Sequence, residues 1–284
     1  MATIQQTAQY IRENIQAAYP EPEAGAIAQL VLEHVLQKSR VQLRLDQKEE
    51  VEPAKEEKIK EVVARLKQQE PVQYVLGVAH FYGLDLQVDE RVLIPRPETE
   101  ELVDLVVREH RGLKGLQVLD ICTGSGCIPL ALAANLQADK VYGLELSEGA
   151  LKVARTNARQ LRLPVAWLQQ DVFDPILGIA PHSLDIITSN PPYVMEQEKA
   201  LMRPNVLDYE PHLALFVPDE DPLKYYKRIA EAGAELLKNG GRLYFEINEQ
   251  YGEEVRQQLL QAGFSHAEVV QDLFNKNRIV KGIS

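Results

Sequence analysis

An apolar run, Asp185-Ile186-Ile187-Thr188-Ser189, stops abruptly at Asn190-Pro191-Pro192-Tyr193. Proline has no N–H and fixes its own φ, and Pro191 also restrains Asn190 toward extended geometry, so this loop is stiff by construction. Its backbone offers carbonyl acceptors and few donors, and the Asn190 side chain adds an acceptor oxygen beside them. Such a cradle suits an NH2 group, and Tyr193 supplies an aromatic face for the planar group that carries the nitrogen. A Pro-Pro turn alone could merely punctuate a strand. Its place after a glycine loop and an acid is what points to chemistry.

The glycine loop is Val118-Leu119-Asp120-Ile121-Cys122-Thr123-Gly124-Ser125-Gly126. A hydrophobic strand feeds a turn with two close glycines, and a helix follows. In an open α/β sheet a nucleotide-like ligand lies across that junction. No Lys-Ser or Lys-Thr follows at the spacing a phosphate-binding P-loop requires, and Pro129 spoils a dinucleotide fingerprint. A tight turn without a ligand also accounts for the loop. Glu145 ends the next apolar run at the distance where an acid accepts from ribose hydroxyls, although it could simply favour the start of the following helix. Asp171 follows the run containing Trp167 and could accept from an adenine amino group, with Val172 or Phe173 against the ring, or it could be a turn residue.

The elements that would hold these residues alternate. Strands are expected at Leu116–Ile121, Lys140–Leu146, Val165–Gln169, Leu184–Ser189 and Arg242–Ile247. Helices are expected from Cys127, through Leu161, over Pro222–Leu237 with Asn239-Gly240-Gly241 as the stop, and over Glu249–Ala262. Strand–helix alternation implies a parallel sheet. Two further runs, Ala267–Val270 and Arg278–Gly282, read as strands, and alternation over Val78–Ile94 reads as a β-hairpin. Before it the pattern is helical: Ala8–Lys38 is broken by Pro20 and Pro22, and Glu49–Gln69 keeps an apolar stripe until Pro71 closes the region.

Composition narrows the options. The 284-residue chain carries 31 basic and 42 acidic residues, a net charge of -11, which opposes binding to a phosphate backbone as a whole. The amino terminus shows neither the basic start nor the apolar run of a secretory signal, and no apolar stretch approaches the roughly 20 residues that span a bilayer. A cytoplasmic enzyme is the expectation. Cys122 and Cys127 lack a second pair, and the histidines at 34, 80, 110, 182, 212 and 266 form no helical ligand pair, so no protein-bound metal is expected.

Motif order resembles class I methyltransferases that use S-adenosylmethionine, and Asn190-Pro191-Pro192-Tyr193 is similar to the motif of amino-group methylating members. More narrowly, Pro71-Val72-Gln73-Tyr74-Val75-Leu76-Gly77, Phe81-Tyr82-Gly83-Leu84, Leu93-Ile94-Pro95-Arg96-Pro97-Glu98-Thr99-Glu100, Tyr209-Glu210-Pro211 and the Asp272-Leu273 … Asn277-Arg278 segment resemble the HemK/PrmC family. That family comprises release factor glutamine N(5)-methyltransferases. The likeness covers essentially the whole chain. It implies an α/β fold, with a class I S-adenosylmethionine-dependent methyltransferase (Rossmann-like) domain at 96–284, preceded by a small all-helical substrate-docking domain at 1–74 and a β-hairpin bridge at 75–95.

By the same resemblance, Cys122, Thr123, Gly124, Ser125, Gly126 and Asn190 would face the cofactor, S-adenosylmethionine. Glu145 would bind its ribose, and Asp171 and Val172 would flank its adenine. Asn190, Pro191, Pro192 and Tyr193 would receive the substrate glutamine, that of the Gly-Gly-Gln motif in class I peptide chain release factors. The chain departs from the pattern where Cys122 replaces a common glycine, Glu145 a frequent aspartate and Asn248 a common glycine, and in Val217-Pro218-Asp219-Glu220-Asp221. A ribosomal-protein glutamine is the close alternative substrate. A DNA or RNA amino group entering the same pocket as a flipped base is the alternative from another class, against which the acidity argues. A catalytically silent binding protein is the third, opposed by the retained Asn190 and loop glycines. A monomer without nucleic-acid or membrane partners is expected. Arg96, Glu98 and Glu210 receive no chemical step: Arg96 and Glu98, in a proline-braced turn, could face the mouth of the site or form a structural ion pair linking the hairpin to the catalytic domain, and Glu210 could shape a lid or only a turn.

Overall fold

The computed structural model describes residues 2–284. The chain divides into two compact units. One runs to Val78 and takes in Arg203–Tyr209; the other comprises Ala79–Met202 and Glu210–Ser284.

The first unit is helical: α1 (Ile4–Ile15), α2 (Glu21–Leu36), α3 (Arg40–Leu45), α4 (Pro53–Leu66) and α5 (Val72–Leu76). Thr3 starts α1 with a reciprocal cap, in which the Gln6 N–H donates to its hydroxyl while its own N–H donates to the Gln6 side chain. Pro53 opens α4, because a first-turn position has no N–H partner to lose. Ile11 and Ile15 of α1, Ile27 and Val31 of α2, and Ile59 and Leu66 of α4 form one core. Pro71 does not end the helical region. It precedes α5, and the helical unit extends past residue 74 to Gly77 and Val78. The segment Arg203–Tyr209 also belongs here, whereas the sequence reading runs one domain continuously from 96. Tyr209 donates its hydroxyl to the Gln68 carbonyl at 2.8 Å, and Arg203 pairs with Glu23 at 3.1 Å. These partners are far away in the chain, and local pattern gives no sign of them.

The second unit opens with a hairpin, β1 (Val78–Phe81) and β2 (Leu84–Gln87), then α6 (Pro97–Glu109). The order continues β3 (Lys114–Ile121), α7 (Cys127–Asn135), β4 (Gln137–Glu145), α8 (Glu148–Leu161), β5 (Ala166–Gln169), β6 (Leu184–Ser189), β7 (Val194–Met195), α9 (Pro204–Leu207, in the helical unit), β8 (Phe216–Val217), α10 (Lys224–Leu236), β9 (Leu237–Glu246), α11 (Gly252–Gln261), β10 (His266–Gln271) and β11 (Asn277–Ile283). Seven strands form a sheet in the order β10-β11-β9-β6-β3-β4-β5, with β11 antiparallel to both neighbours and the rest parallel. Successive residues of a strand bury opposite sides of the sheet, because side chains alternate along it. Val118, Ile186 and Tyr244 meet α6 and α7, while Leu119, Ile187 and Phe245 meet α10 and α11. The sheet is a middle layer.

Chain order reverses at β3, which runs outward through β4 and β5 on one side and through β6 and β9 on the other. A ligand crevice forms at the carboxyl edge of such a switch point. The hairpin is shorter than expected: Val92, Leu93 and Ile94 are not strand, and the Val92 N–H donates to the Asp89 carbonyl while the Ile94 N–H donates to the Glu210 side chain. The expected Asn239-Gly240-Gly241 helix stop also differs. Leu237 already pairs with Leu184, and the next matched pair is Arg242 with Ile186, so the glycines form a bulge inside β9.

Candidate functional site

Register alone brings the sequence-derived residues into one row. Ser189 pairs with Phe245 and with Ile121, Ile121 pairs with Leu144, and Glu145 pairs with Gln169. The next residues along these strands, Glu246, Asn190, Cys122, Glu145 and Gln170, therefore emerge side by side at one edge. All of these but Glu246 border a cavity of about 220 Å³ whose lining includes Cys122, Gly124, Glu145, Asp171, Val172 and Asn190. Pro192, Phe173 and Tyr225 also line it. A second cavity of about 50 Å³ is bordered by Leu93, Arg96, Asn190, Pro191, Tyr193 and Ala214. Asn190, Leu93 and Ala214 are common to both, so Asn190 stands at their junction.

Glu145 is held by two backbone N–H groups. Gly124 donates to one carboxylate oxygen at 3.0 Å and Ser147 to the other at 2.9 Å. Each oxygen keeps a second lone pair, which suits a vicinal diol. Thr123 and Ser125 are buried, and their hydroxyl oxygens have no hydrogen-bond partner among the described residues. Orphaned hydroxyls in a loop beside a cavity fit a polar ligand, because an unpaired buried polar group is costly. Gly126 begins α7 at φ +81°, and a Cβ there would meet the Trp167 ring at 2.8 Å. At Gly143 it would meet the same ring at 2.5 Å. Trp167 thus braces the loop from beneath.

Cys122 adopts φ +62°, a left-handed conformation that costs a residue with a Cβ roughly 1–2 kcal/mol. Glycine relieves that strain but adds unfolded-chain entropy. Cys122→Gly should raise stability by about 0.5–1 kcal/mol. Urea unfolding of the two proteins measures this, and a destabilised variant would show that the thiol's packing outweighs the strain.

Asp120, fully buried beneath the loop, accepts from the Thr188 hydroxyl at 2.7 Å. Burial raises its carboxyl to about 7, with the nearby Thr123 and Thr188 hydroxyls opposing and the Glu145 charge adding. A raised carboxyl means that the folded protein holds this proton more tightly than the unfolded chain does. Its stabilising effect is complete below the ordinary carboxylate range and is lost as pH rises to about 7. Asp120→Asn should remove that slope, so that the variant gains on its parent by up to about 4 kcal/mol between roughly pH 4 and pH 8. Parallel stability curves for the two proteins would contradict the assignment.

On the far wall, Asp171 accepts from the Phe173 N–H at 3.0 Å, turning the chain so that Val172 is buried and Phe173 meets Tyr225 with ring centroids 5.2 Å apart. Lys224 lies 5.0 Å from the Phe173 ring centre. The Tyr225 hydroxyl is pushed up to about 12 by burial, with Cys122, Asp171 and Glu145 contributing. An apolar slot with an aromatic rim and an acid at one end suits a purine.

Behind Asn190 lies a buried polar cluster. The Asn190 amide donates to Thr99 Oγ1 at 3.3 Å, Thr99 donates to Glu246 at 2.6 Å, and the Tyr193 hydroxyl donates to the other Glu246 oxygen at 3.1 Å. Burial raises the Glu246 carboxyl above its usual range, while the hydrogen bonds from Thr99 and Tyr193 and the Arg278 charge pull it down. Burial raises the Tyr193 phenol as well. Asn248 donates to the Tyr193 carbonyl at 3.5 Å.

Sequence reasoning missed Thr99, Asn157, Tyr225 and Glu246. Asn157 of α8 is fully buried: it accepts from the Gln87 N–H at 2.7 Å and donates to the carbonyls of Gln87 and Ser125 at 3.1 and 3.0 Å, tying the hairpin to the glycine loop. A polar residue on an otherwise apolar helix face was the available signal. Glu210, which had no assigned role, is buried and accepts from the Ile94 N–H at 3.1 Å and from Arg96 at 2.5 Å. It fixes the Ile94–Arg96 stretch that borders the smaller cavity.

Comparison with known proteins finds two family matches. Residues 6–77 match the PrmC N-terminal domain family and residues 99–206 the methyltransferase small domain. The chain is 45% identical over 271 residues to a release factor glutamine methyltransferase of Bacteroides thetaiotaomicron, covering 95% of this chain and 96% of that one. It is 39% identical to the Flavobacterium psychrophilum protein of the same name, covering 93% of each chain. Among solved structures, the T. thermophilus 16S rRNA N2 G1207 methyltransferase in complex with AdoMet and guanosine has a TM-score of 0.52 over 73% of this chain and 49% of that one, at 18% identity. That likeness concerns the fold alone.

Proposed function

Because this chain belongs to the release factor glutamine methyltransferase family, we propose that the cradle at Asn190 receives the glutamine of the Gly-Gly-Gln motif in class I release factors. The protein is an S-adenosylmethionine-dependent protein-glutamine N5-methyltransferase. The observation that carries the site assignment is the position of Asn190, which borders both the larger cavity beside the glycine loop and the small one behind Pro191.

When bound, S-adenosylmethionine supplies a methyl group made electrophilic by the sulfonium. Glu145, already anchored by Gly124 and Ser147, would hold the ribose, and Thr123 and Ser125 would gain partners for their hydroxyls. Asp171, Val172, Phe173 and Tyr225 would enclose the adenine. A primary amide is a poor nucleophile because its lone pair is delocalised into the carbonyl. The Asn190 side-chain oxygen and the Pro191 carbonyl would accept its two protons, so that the nitrogen lone pair faces the larger cavity. As the nitrogen becomes positive, the same acceptors stabilise it, and its proton leaves afterwards without a strong base. Tyr193 would pack on the carboxamide plane.

The reading extends to a monomer working in the cytoplasm, with the helical unit as the docking surface for the release factor. No described helix is long and apolar enough to cross a membrane. The net charge of -11 favours a protein substrate over a nucleic acid. Parallel reactions with a labelled methyl donor and a release factor, a ribosomal protein or a nucleic acid test the assignment. Label on the Gly-Gly-Gln glutamine alone is expected, and label on nucleic acid alone would overturn it.

A further inference from the structure

We infer that Thr99 and Glu246 are positioning residues that set which end of the Asn190 amide faces the substrate; the inference rests on reading the Asn190 oxygen as the acceptor. An ionised carboxylate only accepts hydrogen bonds. Both oxygens of Glu246 are engaged, one by Thr99 at 2.6 Å and the other by Tyr193 at 3.1 Å. Thr99 has a single hydroxyl proton, and Glu246 takes it. Its oxygen can then only accept from Asn190, 3.3 Å away, so the Asn190 NH2 must turn toward Thr99. The other end of the amide, its oxygen, is left for the cavities that Asn190 borders.

Reversing the amide would set its oxygen against the Thr99 oxygen, two acceptors with no proton between them. The relay therefore has a fixed direction, imposed from the acid outward. Burial adds to its strength: Thr99 is 2% exposed and Glu246 1%, so water does not replace a lost partner. Thr99 lies in the first turn of α6, yet its hydroxyl serves the end of β9 rather than its own helix. Three segments distant in the chain, 99, 190 and 246, meet at this relay.

Thr99→Val keeps the shape and removes the hydroxyl. Turnover should fall about tenfold or more, the effect of losing one oriented hydrogen bond, with cofactor affinity near that of the parent and some loss of melting temperature because the buried Glu246 oxygen loses its donor. Thr99→Ser, which retains the hydroxyl, should recover most of the lost turnover. In an Asn190→Ala background Thr99→Val should cause no further loss, because there is no amide left to orient. An equal loss in both backgrounds would mean a merely structural role and would overturn the inference, as would parental turnover in Thr99→Val. Impaired Asn190→Ala beside an unimpaired Thr99→Val would remove the relay and leave the acceptor role of Asn190 intact. A fully active Asn190→Ala would remove both. If Thr99→Val fails to fold, Thr99→Ala provides the same comparison.

Discussion

Asn190→Ala is expected to lower kcat by about 10²–10³-fold while changing cofactor affinity by less than about threefold. In the proposed mechanism the substitution removes an acceptor for the nitrogen on which positive charge develops, and such interactions are worth most where water is excluded. Asn190 borders the larger cavity only at its junction with the smaller one, so the cofactor should lose little. The alanine also leaves Thr99 without its partner, but Thr99 still donates to Glu246. The polar cluster should therefore persist and the fold with it. Equilibrium binding of S-adenosylmethionine beside steady-state methylation of a release factor separates the two effects. Equal losses in turnover and cofactor affinity would show that Asn190 holds the cofactor rather than the substrate.

Glu145→Ala should do the opposite. If Glu145 holds the ribose as proposed, two charge-assisted hydrogen bonds, each worth about 1.5–3 kcal/mol, vanish together, and affinity for S-adenosylmethionine should weaken by about 10²-fold or more. The Gly124 and Ser147 N–H groups also lose their acceptor, so the loop itself slackens. At saturating cofactor, turnover should stay within about fivefold of the parent, since Glu145 touches no reacting atom. Glu145→Gln should not rescue binding. Both carboxylate oxygens already take a backbone N–H, and a glutamine must turn its NH2 toward one of those donors. Calorimetric titration measures the affinity, and an unchanged dissociation constant in the alanine variant would remove Glu145 from the cofactor site.

The parallel sheet was legible because its strands are short apolar runs separated by amphipathic helices, and the loop residues were legible because glycine and proline announce special backbone. Residues 122–126, 145, 171 and 190–193 all follow strands, and parallel register carries them to one edge without any long-range information. What the sequence hid is pairing at a distance. Thr99 and Glu246 are 147 positions apart, Gln87 and Asn157 are 70, and Ile94 and Glu210 are 116. No periodicity reports such contacts. Glu246 read as part of a strand and Thr99 only as part of the Leu93–Glu100 motif, with no sign of the helix α6 that carries it. The apolar run Val92–Ile94 suggested strand, and Val92 and Ile94 are buried, yet Glu210 rather than a neighbouring strand satisfies the Ile94 N–H. The segment Arg203–Tyr209 likewise gives no compositional sign that it groups with the helical unit.

The central claim, that Asn190 and Pro191 grip a glutamine carboxamide by its two N–H protons, is tested most directly by a crystal structure of the protein with S-adenosylhomocysteine and a release factor. The account predicts the glutamine side-chain nitrogen within hydrogen-bond distance, roughly 2.7–3.2 Å, of both the Asn190 side-chain oxygen and the Pro191 carbonyl, with the plane of the amide against Tyr193. A glutamine whose oxygen rather than nitrogen meets those two groups, or one bound away from them, would contradict it.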